Sequence, residues 1–505
     1  LAISYNESIN SHNINVGGGL EVKTTRRRTN TGTYKGFQSA EFSSPEFARS
    51  MPYKPNFQEV QTRLFGMFAR LNYSYQDIYL LDASLRIDGS SEFGSDKRYA
   101  PFFSGGLGLN IHKYAFMEKY GFVNHLKVRG SFGQTGKVNF APYAAVPTHE
   151  IDIDEWYISG PASSLMTTRG NRDLKWEKTN KFDVGFELGL LRNLLYLEFS
   201  WYNEITNGLI TDVTLPSSTG FRTYKSNMGK VENKGFEIQF RSDLLSTVDW
   251  YVAVFANLAH NTNKIKKISD ALKAYNDAVN EYYNQEIESL WDKDNPNLNR
   301  VMTKYEEGQS LSAKYGLKSL GIDPANGQEL YVYRDGTVSY DWIATEMRNI
   351  GDEMPWGTGS FGVNLRWKNI TFSTSFLYEF GGDFYNETLI DKVENAKIEE
   401  YNVDRRAMSQ RWKKFGDVVM YKDIKDNRQT TDPTSRFMQR NNVLSWNSMT
   451  IGYELDREML KRIGIENIRI EVGTNDLWRL STVKAERGLS YPYANSVNFS
   501  VNVRF

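Results

Sequence analysis

The 505-residue chain contains no cysteine, and this absence removes several kinds of chemistry at once. A protein without thiols has no disulfide framework, no thiolate metal site and no thiol nucleophile. Its five histidines show no spacing typical of metal ligands; they are His12, His112, His125, His149 and His260. No nucleophile elbow, P-loop or dinucleotide-binding fingerprint is present. The sequence therefore predicts a protein that is not an enzyme and that holds no cofactor.

A net charge is also absent, because 61 basic and 61 acidic residues cancel. Without a global electrostatic field, nothing in the composition favours nucleic acid or an anionic surface as a partner. The local run Arg26-Arg27-Arg28 is interpreted as part of a solvated loop, as charge runs usually are.

The chain lacks any apolar run approaching the roughly 18 to 20 residues that a membrane-spanning helix needs. A helical membrane protein is thereby excluded. Aromatic residues, in contrast, are abundant, with 30 Tyr, 29 Phe and 11 Trp. Such an excess fits either a large β core or the aromatic girdles of a transmembrane β-barrel.

Apolar and polar residues alternate along most of the chain, and a period of two predicts β-strands. Most of the predicted strands are about ten or eleven residues long, which fits a tilted strand that crosses a membrane. We predict about fifteen strands, near Leu1–Tyr5, His12–Val22, Arg63–Tyr75, Ile78–Asp88, Tyr99–Ile111, His125–Thr135, Trp176–Leu188, Leu194–Asn203, Val231–Ser242, Asp249–Asn263, Thr358–Lys368, Ile370–Phe380, Val443–Glu454, Glu466–Leu477 and Asn495–Phe505.

The predicted connections alternate between short and long. Short links such as Gln76–Asp77 alternate with long ones such as Lys23–Thr62, Gly136–Lys175, Lys264–Gly357 and Gly381–Asn442. Outer-membrane barrels have short periplasmic turns and long extracellular loops. The fold class expected is therefore an all-β, transmembrane antiparallel β-barrel. A soluble β-rich adhesin would instead need a second sheet to bury its apolar faces, and it gives no reason for one-sided long loops.

The chain ends with the alternating sequence SVNFSVNVRF. We interpret Phe499, Val501, Val503 and Phe505 as a C-terminal barrel signal, with these residues facing lipid and the polar residues between them facing the lumen. A barrel with two periplasmic ends has an even number of strands, whereas the count here is odd. We therefore expect residues 1–505 to be the C-terminal part of one larger outer-membrane barrel.

The longest predicted loop, residues 264–357, contains one helical pattern. Its apolar residues Ile268, Leu272, Tyr275, Ala278 and Tyr282 recur at the spacing of an amphipathic helix. Such a helix either packs over its own loop or serves as an element that docks a partner or covers a ligand.

Two groups of loop residues are candidate sites. Asp152, Asp154 and Glu155 are weak candidates for a calcium ion, since no twelve-residue calcium-binding loop surrounds them. The aromatic residues Trp156, Tyr157, Trp342 and Trp356 are candidates for stacking on sugars or peptides, and packing within the loops is the alternative interpretation.

Six stretches along the chain form a recognisable series. The longest is FARLNYSYQDIYLLDASLRIDGSSEFGSDKRYAPFFSGGLGLNIHK, from Phe68 to Lys113. The others are LKVRGSFGQTGK, NRDLKWEKTNKFDVGFEL, VENKGFEIQF, YGLKSLGIDPANGQELY and the aromatic C-terminus. Any one of them alone is a weak signal, but together they span nearly the whole chain, and in this order they resemble the SusC/RagA family of TonB-dependent outer-membrane transporters of Bacteroidota.

This resemblance implies a barrel of 22 strands, of which about fifteen lie in this chain, with a lumen closed by a plug domain. The plug and the first strands would be absent from this chain, and TonB would act through that plug. The expected partners are a SusD-like surface lipoprotein, the remaining barrel strands and outer-membrane lipid, in a Gram-negative outer membrane. The expected function is import of glycan or peptide fragments; the alternative is a structural subunit of an outer-membrane assembly or secretion machine.

Overall fold

Strands dominate the computed structural model of the chain. It describes the 505 residues except 40, 42, 95–96, 139, 158–159, 169, 193, 215–222, 269, 285–303, 397, 399–401, 426–430, 457–459, 461–463, 485–494 and 505. Of residues 150–157, 160–168, 211–214, 223–224, 228, 270–271 and 282–284 it describes the backbone alone. Among the described residues, no helix combines the length and the apolar character needed to cross a bilayer.

The strands of the described part follow one another along the whole chain. In chain order they are β1 Ala2–Ile9, β2 His12–Thr31, β3 Asn56–Tyr75, β4 Tyr79–Ser90, β5 Tyr99–Asn110, β6 Val123–Lys137, β7 Thr148–Tyr157, β8 Gly160–Thr168, β9 Glu177–Leu190, β10 Leu195–Thr214, β11 Thr223–Ser246, β12 Trp250–Lys267, β13 Ala313–Gly316, β14 Lys318–Ile322, β15 Glu329–Val332, β16 Val338–Ser339, β17 Arg348–Asp352, β18 Gly357–Trp367, β19 Ile370–Tyr385, β20 Met438–Glu454, β21 Asn467–Ser481 and β22 Ser496–Arg504.

Helices are few and short in the described residues. The longest is α1, Asp270–Asn284, which lies within the segment whose periodicity predicts a helix. Two further pieces are α2, Glu387–Leu389, and α3, Arg406–Ser409. Single helical turns occupy Pro45–Phe47, Ile111–Lys113, Ala115–Lys119, Ala344–Glu346, Ile390–Glu394 and Ser435–Phe437.

Fifteen strands form one sheet in which neighbours along the chain are neighbours in space. Its order is β1-β2-β3-β4-β5-β6-β9-β10-β11-β12-β18-β19-β20-β21-β22. The small strands between them form separate sheets, β7-β8, β13-β17 and β14-β15-β16. The prediction of an all-β chain with about fifteen antiparallel strands is confirmed.

The register places apolar residues on one face of the sheet and polar residues on the other. In β18 and β19, Phe361 is paired with Phe376, and the preceding residue Ser360 lies on the opposite face with Asn257. Large apolar side chains are exposed on the apolar face, as Val22 is at 75% and Leu107 at 67%. An exposed apolar face opposite a polar one is the arrangement of a lipid-facing barrel wall.

Several strands are about twice as long as the sequence predicts. Strands β2, β3 and β10 each have 20 residues, and β11 has 24. The interpretation of Arg26-Arg27-Arg28 as a solvated loop is therefore wrong, because the run lies in β2 opposite Glu59, Val60 and Gln61 of β3. The regular apolar alternation stops before the strands end, and periodicity does not detect the backbone pairing that continues beyond it.

The chain divides into two compact units. The first comprises Leu1–Gly106, Phe132–Asn180 and Thr206–Met228, and its buried core contains Phe93, Ala100, Phe102, Ala145, Leu174, Trp176 and Ile210. The second comprises Leu107–Ser131, Lys181–Ile205 and Gly229–Phe505. A buried cluster of this unit lies at the end of β19 and in the connection that follows it, and it contains Tyr385, Leu389, Ile390, Val393, Ala396, Ala407, Tyr421 and Phe437.

Candidate functional site: the polar wall and the joined loops of the second unit

Paired charges cover part of the polar face of the second unit. The guanidinium of Arg129 in β6 donates from Nη1 to Asp183 at 2.8 Å and from Nη2 to Glu198 at 3.1 Å. The same Nη2 donates to the hydroxyl of Ser200 at 2.6 Å. Because β6, β9 and β10 are neighbours in the sheet, residues that alternate with apolar ones meet on one face.

A second group of charges on this wall surrounds Glu187 of β9. Its carboxylate lies 3.1 Å from Nε2 of His125 and 3.1 Å from Nζ of Lys127, and it accepts from the Tyr196 hydroxyl at 3.3 Å. We call the face that carries these two groups, around Arg129 and around Glu187, the polar wall. Its side chains are partly solvent-exposed, so the wall offers both hydrogen-bond donors and acceptors to a polar molecule passing along it.

The opposite face carries a belt of aromatic rings. Phe199 lies 5.6 Å from Phe186 in β9 and 6.3 Å from Phe236 in β11, between ring centroids. Further along the sheet the belt continues from Phe376 to Trp446 at 5.5 Å and from Trp446 to Trp478 at 5.9 Å. Aromatic girdles of this kind mark the interfaces of transmembrane barrels.

Two long connections of the second unit are joined to each other. We call residues 268–356, between β12 and β18, the first long loop, and residues 386–437, between β19 and β20, the second long loop. Leu317 of the first forms a parallel β-bridge with Thr434 of the second. The indole of Trp412 donates to the carbonyl of Pro324 at 3.0 Å.

A buried arginine completes this junction. Nη2 of Arg436, in the second long loop, donates to Glu329 of the first at 2.6 Å and to Glu394 of the second at 2.7 Å, and Nη1 also donates to Glu394. The side chains of Arg436 and Glu329 are each 5% exposed and that of Glu394 is fully buried. Hydroxyls of Thr434 and Thr431 donate to the two carboxylates at 2.7 Å. We call these residues the loop core.

The pKa shifts in the loop core follow from burial and pairing. Burial alone would lower the pKa of Arg436, but the two carboxylates outweigh it and raise that pKa well above its usual value. Burial alone would raise the pKa of Glu394, whereas the Arg436 guanidinium lowers it. The pair therefore stays ionised, although Nε of Arg436 is buried without a hydrogen-bond partner among the described residues.

Two further polar groups lie around the loop core. Arg411 donates to the carbonyls of Val393 at 2.8 Å, Glu394 at 2.6 Å and Lys422 at 3.1 Å, and burial lowers its pKa. Removal from water raises the pKa of Asp432 to about 7, and the nearby Glu329 adds to the shift while Lys422 opposes it. A carboxyl group that titrates near neutral pH thus lies beside the junction of the two loops.

The helix α1 packs onto its own loop. Val279 belongs to a buried cluster with Leu317, Tyr331, Ala344 and Met347, all of which lie in the first long loop. Leu272 is also buried, whereas Ile268 lies before the helix begins. The arrangement matches the interpretation of a helix that covers its own loop.

The candidate ligand residues have different environments. Trp342 lies against the cluster around Val279, and its indole donates to the carbonyl of Pro433 at 3.0 Å. Trp356 joins the aromatic belt, 4.7 Å from His260 and 5.3 Å from Phe380, and is 47% exposed. Trp156 and Tyr157 end strand β7, where the side chains lie outside the described residues. A ligand role for the four stays a prediction.

The remaining predicted residues are placed by backbone or by exposure. Asp152, Asp154 and Glu155 also lie in β7, outside the described side chains, so the calcium hypothesis stays a prediction. Elsewhere in the described part of the chain, no group of three or more His, Asp or Glu is arranged to hold a metal ion. In β22, Phe499, Val501 and Val503 are exposed at 67%, 49% and 43%, whereas Phe505 lies outside the described residues.

Sequence reasoning does not find the loop core. Glu329, Glu394 and Arg436 are separated by 65 and 42 residues, and only Glu329 lies in one of the six stretches quoted above, which assigns it no partner. Their chemical identity gives no signal, because charged residues in long connections are normally solvated. A paired arrangement of this kind becomes visible only in the folded chain.

Comparisons with known proteins agree with this architecture. The profile of the family described as TonB dependent receptor-like, beta-barrel, matches residues 3–373. The chain is 25% identical to the TonB-dependent receptor P3 of Formosa agariphila, over 94% of this chain and 47% of that protein. It is 27% identical to the TonB-dependent receptor SusC of Bacteroides thetaiotaomicron, over 65% of this chain and 32% of that protein.

A solved structure has the same fold. The RagAB peptide transporter superposes with a TM-score of 0.79 at 21% sequence identity, over 96% of this chain and 52% of that chain. The chain therefore spans about half the length of the relatives and of the structure that it matches.

Proposed function

This chain belongs to the TonB-dependent receptor-like β-barrel family and is an outer-membrane protein of a Gram-negative bacterium, and from that premise we propose that it forms the pore wall and extracellular loops of a SusC-like active importer. The cargo in this proposal is a glycan or peptide fragment too large for a passive porin. The observation that carries the proposal is the amphipathic fifteen-stranded sheet, with paired charges on one face and aromatic rings on the other.

The polar wall suits a cargo with many hydrogen-bonding groups. Arg129 is paired with both Asp183 and Glu198, so a passing molecule meets donors and acceptors side by side rather than one strong field. Such a wall binds weakly at many points, which a transported oligomer needs if it is also to leave. The name of the RagAB peptide transporter gives peptides as the cargo of that relative, and either peptides or glycans fit the wall described here.

Energy and gating are assigned to parts of the full-length protein beyond this chain. We propose that a plug domain closes the lumen, that TonB acts through this plug, and that further strands complete the barrel. The chain's span of about half the length of its relatives leaves room for all three.

The extracellular end is assigned to a lid. We propose that a SusD-like surface lipoprotein covers the long loops, that Trp156 and Tyr157 contact the cargo or the lid, and that Trp356, whose ring lies in the aromatic belt, contacts the lid. Trp342 already uses its indole nitrogen for Pro433, so its proposed contribution is the ring face alone.

Uptake of labelled oligosaccharides and peptides tests the proposal. Cells that produce the full-length protein should accumulate one class of label, and loss of TonB should abolish accumulation while surface binding of the label persists. The same preparation, solubilised and purified through a tag on the full-length protein, should retain a SusD-like lipoprotein.

The contrary result is equally specific. Accumulation that is unchanged without TonB would overturn active import. Co-purification with non-transport subunits in place of a lid would instead support a structural role in an assembly or secretion machine.

A further inference from the structure

The outer face of the β2–β3 hairpin, in the first unit, carries an apolar band of definite height. Paired residues of the two strands form its rows, which are Val16 with Leu71, Leu20 with Met67, and Val22 with Phe65. At the short-turn end, His12 and Tyr75 lie 4.7 Å apart between ring centroids. At the other end, the ring of Phe65 lies 6.3 Å from Tyr99. Rings at both ends of an apolar band are typical of a lipid-spanning wall.

Basic residues begin in the next row of the same face. Arg63 is paired with Thr24, and Arg26 and Arg28 follow in the next two rows, opposite Gln61 and Glu59. A strand rises about 3.3 Å per residue, so Arg63 lies about 7 Å and Arg26 about 13 Å along the strands beyond the Phe65 row. The tilt of barrel strands shortens these heights further. Arg63 thus lies at the depth of lipid headgroups, and Arg26 and Arg28 lie above it on the extracellular side.

Glu59 orients two of the three guanidiniums. Nε of Arg26 donates to one carboxylate oxygen at 2.5 Å, and Nε of Arg28 donates to the other at 2.8 Å. Both arginine side chains remain more than half exposed, at 53% and 57%. Within the described residues, their Nη groups have no other hydrogen-bond partner and therefore face the surroundings.

The balance of charge on this surface is positive. From the Val22 row to the Asn30 row, the face presents three guanidiniums, of Arg26, Arg28 and Arg63, and one carboxylate, of Glu59. Its net charge is therefore +2, directly beside an apolar band. A guanidinium presents a planar fork of donors that matches the oxygens of a phosphate group.

We propose that Arg26, Arg28 and Arg63 bind the phosphate of a glycolipid headgroup in the outer leaflet of the outer membrane, with its acyl chains lying along the apolar band. The occupant is a lipid rather than a free anion, because the basic residues adjoin Val22, Phe65 and Met67 on the face that points away from the polar residues. A free phosphate ion would gain nothing from that apolar surface. The site thus anchors the height of the hairpin against the leaflet.

The same strand supplies a matched control. Lys23 and Arg27 alternate with Thr24, Arg26 and Arg28 and therefore lie on the opposite face of β2. The double variant Arg26→Gln/Arg28→Gln and the double variant Lys23→Gln/Arg27→Gln remove the same number of charges from the same strand. Only the first pair belongs to the proposed site.

The test uses the full-length protein in lipid nanodiscs, titrated with purified lipid A and followed by native mass spectrometry. We expect Arg26→Gln/Arg28→Gln to weaken lipid A binding at least about fivefold, an estimate based on two lost charge-assisted contacts. Lys23→Gln/Arg27→Gln should leave it unchanged. Equal binding by both double variants would overturn the proposal.

Two further arms identify the ligand. Dephosphorylated lipid A should bind as weakly to the wild type as lipid A binds to Arg26→Gln/Arg28→Gln; equal binding of both lipids to the wild type would show apolar contact alone and overturn the proposal. Inorganic phosphate in the millimolar range should not displace lipid A, and displacement would show a free-anion site instead. Arg63→Gln, which breaks no described ion pair, should weaken binding even if the double variant folds poorly.

Discussion

Arg436 is the residue whose loss should cost the loop core most. Replacing it with Met removes the partner of two buried carboxylates, Glu329 and Glu394. Breaking a buried ion pair from one side typically costs about 3 to 5 kcal/mol, because the remaining charge stays buried. We expect the second long loop to lose protection from hydrogen exchange while the strands keep theirs.

An exposed ion pair in the same unit serves as the control for this substitution. Arg440 lies 3.2 Å from Asp383, and the arginine side chain is 60% exposed. Exposed pairs contribute about 0 to 1 kcal/mol. Arg440→Met should therefore leave exchange in the second long loop unchanged, and equal loss of protection in both variants would contradict a special role for burial.

Asp432 should make the stability of the second long loop depend on pH. Burial raises the pKa of this carboxyl to about 7, above its value in the unfolded chain. The folded loop then holds a proton that the unfolded loop has lost, so stability falls as pH rises from about 4 to about 7 and is level above that. The slope is at most about 1.4 kcal/mol per pH unit.

Asp432→Asn isolates this effect from the titration of other groups. The variant should abolish the pH dependence of the hydrogen-exchange protection factors of residues 431–437 between pH 5 and 8, and it should protect them better than the wild type at pH 8. A slope that survives the substitution would assign the proton to another residue.

How much of the site the sequence predicts differs from residue to residue. Trp342 and Trp356 are correctly placed in long connections, yet both have packing partners that only the structure identifies. Arg436 carries no such signal, because its two carboxylate partners lie 107 and 42 residues away in the chain. Pairing of this kind depends on tertiary structure, which a period or a motif does not encode.

At the level of elements, helix α1 depends on one buried stripe. Val279 is 3% exposed among residues of its own loop, whereas Ala274 lies on the exposed side. Val279→Asp places an unpaired charge in an apolar cluster, and the expected cost is about 3 kcal/mol or more. Because about 1.4 kcal/mol corresponds to a factor of ten, hydrogen exchange of residues 270–284 should accelerate at least about a hundredfold.

Ala274→Asp changes the same helix without burying the charge. Its expected effect is within about 0.5 kcal/mol, as for most surface substitutions. If both variants unfold the helix equally, the packing of Val279 is not what holds it in place.

Strand length is the property of the elements that periodicity predicts least well. All fifteen strands of the large sheet coincide with predicted ones, since each crosses an apolar zone that imposes alternation. The extension of β2 is polar on both faces, and those of β3, β10 and β11 mix polar residues with apolar ones such as Val60, Ile210 and Met228, so the regular alternation lapses there. Backbone hydrogen bonds form between residues of any type, so the residue pattern does not mark where they continue. The predicted strands therefore end too early.

For the molecule as a whole, the two faces of the sheet should differ in their tolerance of charge. Val363 is paired with Val254 and Thr374 and alternates with Asn364, which lies on the other face of β18. An arginine on the lipid face costs about 2 to 4 kcal/mol near the bilayer midplane, whereas lumen substitutions cost little. Val363→Arg should therefore lower the free energy of unfolding in lipid vesicles, and Asn364→Arg should not.

The assay is urea unfolding of the full-length protein in vesicles, followed by tryptophan fluorescence. Trp446 and Trp478 lie in the aromatic belt and report loss of that environment directly. Equal destabilisation by the two neighbouring substitutions would contradict the assignment of one face to lipid.

The junction at Arg436 has a consequence for how the two long loops are inherited. Glu329 belongs to the first long loop and its partner Arg436 to the second. Transplanting either loop alone into a relative would therefore leave a buried carboxylate or a buried guanidinium without its partner. The two long loops can therefore be swapped between relatives only together. A chimera that receives both together should assemble, whereas chimeras that receive only one should be cleared by proteolysis before they reach the cell surface.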